Sequence, residues 1–118
     1  MEKCPQRNST DCGICCLAMI LGLPYDLVIK KVFPDAKGRK DLSIPFGDFP
    51  KILQAFNRKG LIFDKIDERL NGILEISYSI GDKIVWHYIA YNATERSFID
   101  PQTNAPEKHS RHRFLGVF

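Results

Sequence analysis

Hydrophobic and polar positions fall into two regimes along the chain. From residue 12 to residue 21 every position except Gly13 is apolar, with the cap-type residues Ser9, Thr10 and Asp11 ahead of the run and Gly22 and Pro24 behind it. This predicts a helix starting at about Cys12, and because no polar face remains the helix belongs in the middle of a domain. Residues 24–33 predict a second helix, with Leu27, Val28 and Val32 inward and Lys30 and Lys31 outward. Residues 35–45 are polar and predict a loop. Asp48 caps a predicted third helix over residues 49–59, where Ile52, Leu53 and Phe56 recur at helical spacing and Gly60 takes the stop position. After Gly60 the pattern shortens to β-branched and aromatic runs: 61–63, 73–78, 84–91 and 97–100, with turns at Gly81-Asp82 and at residues 92–96 and a last short strand at 114–117. Helices first and an antiparallel sheet afterwards make an α+β layout.

At 118 residues the chain is expected to be a single domain, residues 1–118, large enough to bury a core without metal or disulfide staples. Apolar residues at 44% and charged residues at 26% exclude a disordered tail, a collagen-like repeat and a membrane bundle. The net charge of +3 neither demands nor excludes an anionic partner. The opening residues carry no apolar core of a signal peptide. The longest uncharged stretch, 12–25, is too short for a membrane span of about 20 residues. The expected location is therefore the cytoplasm, where Cys4, Cys12, Cys15 and Cys16 stay reduced and are catalytic, metal-bound or buried.

Chemistry concentrates in residues 6–13. Cys12 stands at or beside the first position of the buried helix, where the positive end of the helix dipole favours thiolate and the free amides of the first turn can bind an oxyanion. Gly13 removes bulk beside it, and Gln6 on the preceding loop offers a side-chain amide to the same oxyanion. A nucleophilic cysteine needs a base and the base an orienter. His109 and His112 lie in a polar, basic stretch from 107 to 113 and read as solvated surface. His87 is embedded in an apolar strand between Trp86 and Tyr88, which can wall a narrow cleft. Asp100 ends the next strand, before Pro101, within reach of His87 if the two strands pair.

The order Gln6, Asp11-Cys12-Gly13, Cys16-Leu17, Met19, then the His block 86–91, the Asp block 98–101 and the ending 113–117 resembles the double-glycine leader peptidases. These are papain-like cysteine peptidases best known as N-terminal domains of bacteriocin-exporting ABC transporters. The resemblance implies a stand-alone papain-like domain with Cys12 as nucleophile, His87 as base, Asp100 as orienter and Gln6 as oxyanion donor. It also implies hydrolysis of a peptide bond after small residues such as Gly-Gly, with a peptide or protein as substrate.

Other readings stay beside this one. Transglutaminases, deamidases and acyltransferases use the same constellation, and a small domain of this kind can serve as a binding or inhibitory module with the triad idle. Cys12 and Cys15 form a Cys-x-x-Cys, but only polar residues precede it where a redox fold needs a strand and helix. A zinc site from Cys4, Cys12, Cys15 and a histidine lacks paired knuckles. Cys15 and Cys16 read as small buried hydrophobes. The basic run 37–40 reads as a solvated loop, with no aromatic-interleaved stripe for nucleic acid. No cofactor, metal or membrane span is expected, and the oligomeric state is not legible.

Overall fold

The computed structural model describes residues 1–102, 106 and 108–118. It is an α+β fold of three α-helices and a five-stranded antiparallel sheet. The helices are α1 (Cys12–Leu21), α2 (Tyr25–Val32) and α3 (Phe49–Gln54), the last entered through a 3-10 turn, Phe46–Asp48. The strands are β1 (Gly60–Phe63), β2 (Gly72–Ile80), β3 (Lys83–Asn92), β4 (Ser97–Ile99) and β5 (Ser110–Val117), in the spatial order β1-β5-β2-β3-β4.

The continuous apolar run makes α1 the central element: Gly13 through Ile20 are all buried. Gly22 stops it in the left-handed conformation, φ 65°, where a side chain would be strained. Among the described residues no single helix is long and apolar enough to cross a membrane. Ile14, Leu17, Val28, Ile44, Phe49, Leu53, Ile73, Ala90 and Leu115 form the core between the helices and one face of the sheet. Leu74, Ile76, Ile89, Tyr91 and Phe114 form a second cluster, packed with Phe63, Ile66 and Leu70.

The structure corrects several local expectations. Ser9, Thr10 and Asp11 precede α1, and Asp11 occupies the cap position, but its side chain makes no cap hydrogen bond. In α2 the inward face is Tyr25 and Val28, whereas Leu27 is 47% exposed. Tyr25, Val28, Ile29 and Val32 follow the i, i+3, i+4, i+7 stripe of a helix, and Leu27 lies off it. The third helix ends at Gln54, five residues before the expected Lys59, because Asn57 turns left-handed at φ 58° and the Arg58 amide bonds back to the Leu53 carbonyl. Gly60 is then not a helix stop: it opens β1, where an added Cβ would lie 2.5 Å from Leu53 Cδ1. Asp48 precedes α3 without a side-chain cap.

The last strand begins four residues earlier than expected, at Ser110. His112 is consequently not free surface. It is half-buried, its Nε2 is 2.7 Å from the Ser77 hydroxyl, and its ring lies tilted against Trp86 with the centroids 4.5 Å apart. Glu107, at the head of that basic stretch, lies outside the described residues. Arg113 donates two hydrogen bonds to buried Glu75 across the β2–β5 pair, at 3.1 and 3.3 Å.

Candidate active site

β2 and β3 form a hairpin with Ile80 opposite Lys83, joined by Gly81-Asp82 with Gly81 at φ 59°. β4 pairs with β3 only through Ala90↔Ile99, Tyr91↔Phe98 and Asn92↔Ser97. Among the described residues the outer edge of β3 from Lys83 to Ile89 therefore has no strand partner. His87 sits on that open length, and Asp100 is the first residue past the end of β4. Pairing of β3 with β4 brings the two side chains together: His87 Nε2 donates to Asp100 Oδ1 at 2.7 Å. Asp100 is held in turn by the Gln102 amide, which donates to the same oxygen at 2.8 Å. The Gln102 side-chain oxygen accepts from Tyr78 Oη at 3.2 Å.

The Cys12 thiol lies close enough to His87 to raise its pKa. Since Nε2 is committed to Asp100, Nδ1 is the nitrogen left for the sulfur. Burial of the imidazole, 4% exposed, works to lower its pKa. The hydrogen bond to Asp100 and the proximity of Asp100 and Cys12 outweigh that, and the value is raised from 6.5 to about 9. The site therefore favours an imidazolium between a carboxylate and a sulfur at neutral pH. Cys12 is the α1 cysteine with partial exposure, whereas Cys15 and Cys16 are buried. Burial pushes the thiols of Cys4, Cys15 and Cys16 up, away from the thiolate.

This arrangement has a consequence for stability. Because His87 has a higher pKa folded than unfolded, its contribution is complete below pH about 6.5 and is lost as pH rises through about 9. Thermal melts from pH 6 to 10 are expected to show the wild-type midpoint falling across that window more steeply than that of His87→Gln. Parallel profiles would mean that the imidazole is not held charged.

The first intrahelical bond of α1 runs from the Cys15 amide to the Asp11 carbonyl at 3.0 Å. The amides of Cys12, Gly13 and Ile14 thus precede the helix's own acceptors and face whatever lies at its N-terminus. Gly13 is small for a different reason than expected: a Cβ there would press on Ile44 Cδ1 and Phe49 Cζ at 3.2 Å, in the core.

Gln6 lies on the loop before α1. Its backbone amide donates to the Pro101 carbonyl at 3.0 Å, tying the loop to the segment that carries Asp100. Its side-chain nitrogen donates to the Asn8 carbonyl at 3.0 Å, while its Oε1 is buried with no partner among the described residues. An unmet buried acceptor costs about 1–3 kcal/mol. The structure thus brings Cys12, His87 and Asp100 into one chain of contacts and ties Gln6 to that chain through Pro101, with its amide turned onto its own loop.

Cys12 opens onto a cleft of about 430 Å³ walled by Thr10, Ser43, Ile44, Pro45, Trp86 and Tyr88. Trp86 and Tyr88 are the walls expected from the sequence. The facing wall, 43–45, carried no such signal, and Tyr88 secures it by donating from Oη to the Ile44 carbonyl at 2.6 Å. Burial raises the Tyr88 hydroxyl, keeping it protonated and able to donate. Thr10 secures the other end, accepting from the Leu42 amide at 2.9 Å. A larger groove, about 810 Å³, lies between residues 1–5 and the α1–α2 corner and is lined by Cys4 but by neither His87 nor Asp100. No protein-family model matches the chain, nor does any curated protein or solved structure, so what the site does rests on its own residues.

Proposed function

We propose that the chain is a papain-like cysteine peptidase that cleaves a peptide bond through a thioester on Cys12. The observation that carries this is the run of contacts from Asp100 through His87 to Cys12, anchored by the 2.7 Å bond. In this reading the Cys12 sulfur attacks the scissile carbonyl, and the amides at the N-terminus of α1 receive the developing oxyanion. His87, held as an imidazolium by Asp100, gives its proton to the leaving amine and then takes one from water as the thioester is hydrolysed. Resemblance to the double-glycine leader peptidases supports glycine before the cut. The cleft between Trp86 and residues 43–45 supports an extended peptide as its occupant.

Mass spectrometry of the protein incubated with a leader-type peptide containing Gly-Gly checks the proposal. The expected result is an acyl adduct on Cys12 and a cut after the second glycine, both lost in Cys12→Ala. Transfer of the acyl group to an amine instead of water would make the protein a transferase. No adduct and no product, with Cys12→Ala as active in its biological setting as wild type, would leave a binding module.

A further inference from the structure

Among the described residues Asp11 is the one carboxylate with no exposed surface, and it meets no cation there. A buried carboxylate in that situation persists only when donors satisfy it. Oδ2 accepts the Arg7 amide at 2.9 Å and the Tyr25 hydroxyl at 2.8 Å. Oδ1 accepts the Asn8 amide at 3.4 Å. Arg7 and Asn8 belong to the loop between Gln6 and Cys12, and Tyr25 begins α2. The Arg7 guanidinium closes the same corner from outside, stacked 3.9 Å over the Tyr25 ring and bonded to Asp26 at 2.8 Å. Such a carboxylate is a tie between the loop and a core helix, placed one residue before the nucleophile.

We infer that Asp11 is a positioning residue of the acyl-transfer site, which holds the 6–11 loop against α2 so that Gln6, whose side-chain amide rests on the Asn8 carbonyl, keeps a fixed place ahead of α1. The inference rests on the reading of Cys12 as an acylating nucleophile. The loop is pinned at its far end by the Gln6 amide on Pro101 and at its near end by Asp11. Releasing the near end leaves Cys12 and His87 in contact but lets the oxyanion side of the site drift. A drift of about 1 Å in a positioned group can cost about 10²-fold in rate. The loss falls on kcat and not on KM when the interaction forms only in the transition state.

The test compares wild type, Asp11→Asn, Tyr25→Phe, Gln6→Ala and the Asp11→Asn/Gln6→Ala double variant. The acyl donor is a blocked Gly-Gly 4-nitrophenyl ester, with Cys12→Ala as background. Asp11→Asn is expected to lower kcat about 10²-fold with KM within a factor of about three. Iodoacetamide labelling of Cys12 should stay within about twofold of wild type, because alkylation forms no oxyanion. Amide exchange should quicken by about tenfold or more at one of Arg7 and Asn8, since asparagine keeps a single acceptor oxygen where the carboxylate served both amides. Tyr25→Phe, which keeps the ring under Arg7, should move the same readouts less far. The double variant should be no slower than the slower single variant, because residues that act as a unit are not additive.

Multiplying effects in the double variant would overturn the inference. So would an unchanged kcat in Asp11→Asn, or a kcat that falls only together with labelling and thermal midpoint. If Asp11→Asn does not fold, Tyr25→Phe decides by the same criteria. A wild type that acquires no acyl group on Cys12 overturns the acyl-transfer reading itself. That outcome is separate, because the exchange rates at Arg7 and Asn8 still report whether the tie exists.

Discussion

Replacing His87 by glutamine or alanine is expected to lower acyl transfer about 10²–10⁴-fold, the range that a lost general acid–base supplies. Iodoacetamide labelling of Cys12 at pH ~6 should fall by about tenfold or more, because an unassisted thiol near pKa 8.5 is under about 1% thiolate there. Both effects follow from one feature: an imidazole buried to 4% exposure that is nonetheless held charged by Asp100 on one side and Cys12 on the other. The alanine variant also opens a cavity, so the glutamine variant separates chemistry from folding. Labelling that stays at the wild-type rate in both variants would show that the pair does not activate the sulfur. Cys4 labelling ahead of Cys12 in wild type would point to a different reactive residue altogether.

Phe49→Ala is expected to cost about 3–5 kcal/mol of stability, as truncation of a fully buried aromatic does. For a domain of this size that lowers the thermal midpoint by on the order of 10–20 °C. Phe49 has no exposed surface and stands edge-on to Phe46 at 5.7 Å and to Tyr88 at 5.3 Å. It also backs Gly13 in the first turn of α1. One ring thus supports both the helix that carries Cys12 and the tyrosine that fastens the 43–45 wall. Denaturant unfolding measures the loss directly. A change under about 1 kcal/mol would mean that the neighbours collapse into the space and that this aromatic cluster is not a shared support.

What was legible in the sequence depended on whether the deciding interaction was local. α1 could be read from an unbroken apolar run and the glycine that ends it. The β2–β3 hairpin could be read from Gly81-Asp82 between two β-rich runs, and the His87–Asp100 approach from two neighbouring strands and a proline. The helical spacing of Ile52, Leu53 and Phe56 predicts a longer α3 than forms, because Asn57 turns the chain left-handed. Spacing carries no information about a single residue's φ. Its apolar side chain alone puts Leu27 inward, whereas the helix phase set by Tyr25 and Val28 turns it outward. His112 looked like surface because its partners, Ser77 and Trp86, are distant in sequence. Asp11 looked like a helix cap, since Asp before an apolar run usually is one. Its use by Arg7, Asn8 and Tyr25 depends on where α2 packs. The 43–45 wall of the cleft likewise exists because the Tyr88 hydroxyl reaches the Ile44 carbonyl across many residues of sequence.

The place of β5 in the sheet has a kinetic consequence. It lies between β1 and β2, registered with Gly60–Phe63 on one side and with Gly72 to Ser77 on the other. Until residues 110–117 arrive, β1 has no strand to pair with and the inner edge of β2 is bare. During synthesis from the N-terminus, the hairpin bearing His87 and the helix bearing Cys12 therefore emerge before the strand that completes the sheet between them and β1. Closure requires contacts of large sequence separation, which are slow to form. In that interval a bare strand edge is open to wrong pairing, with another copy of the chain as the nearest source. The sheet that backs Cys12 and His87 is thus completed only when the last strand arrives.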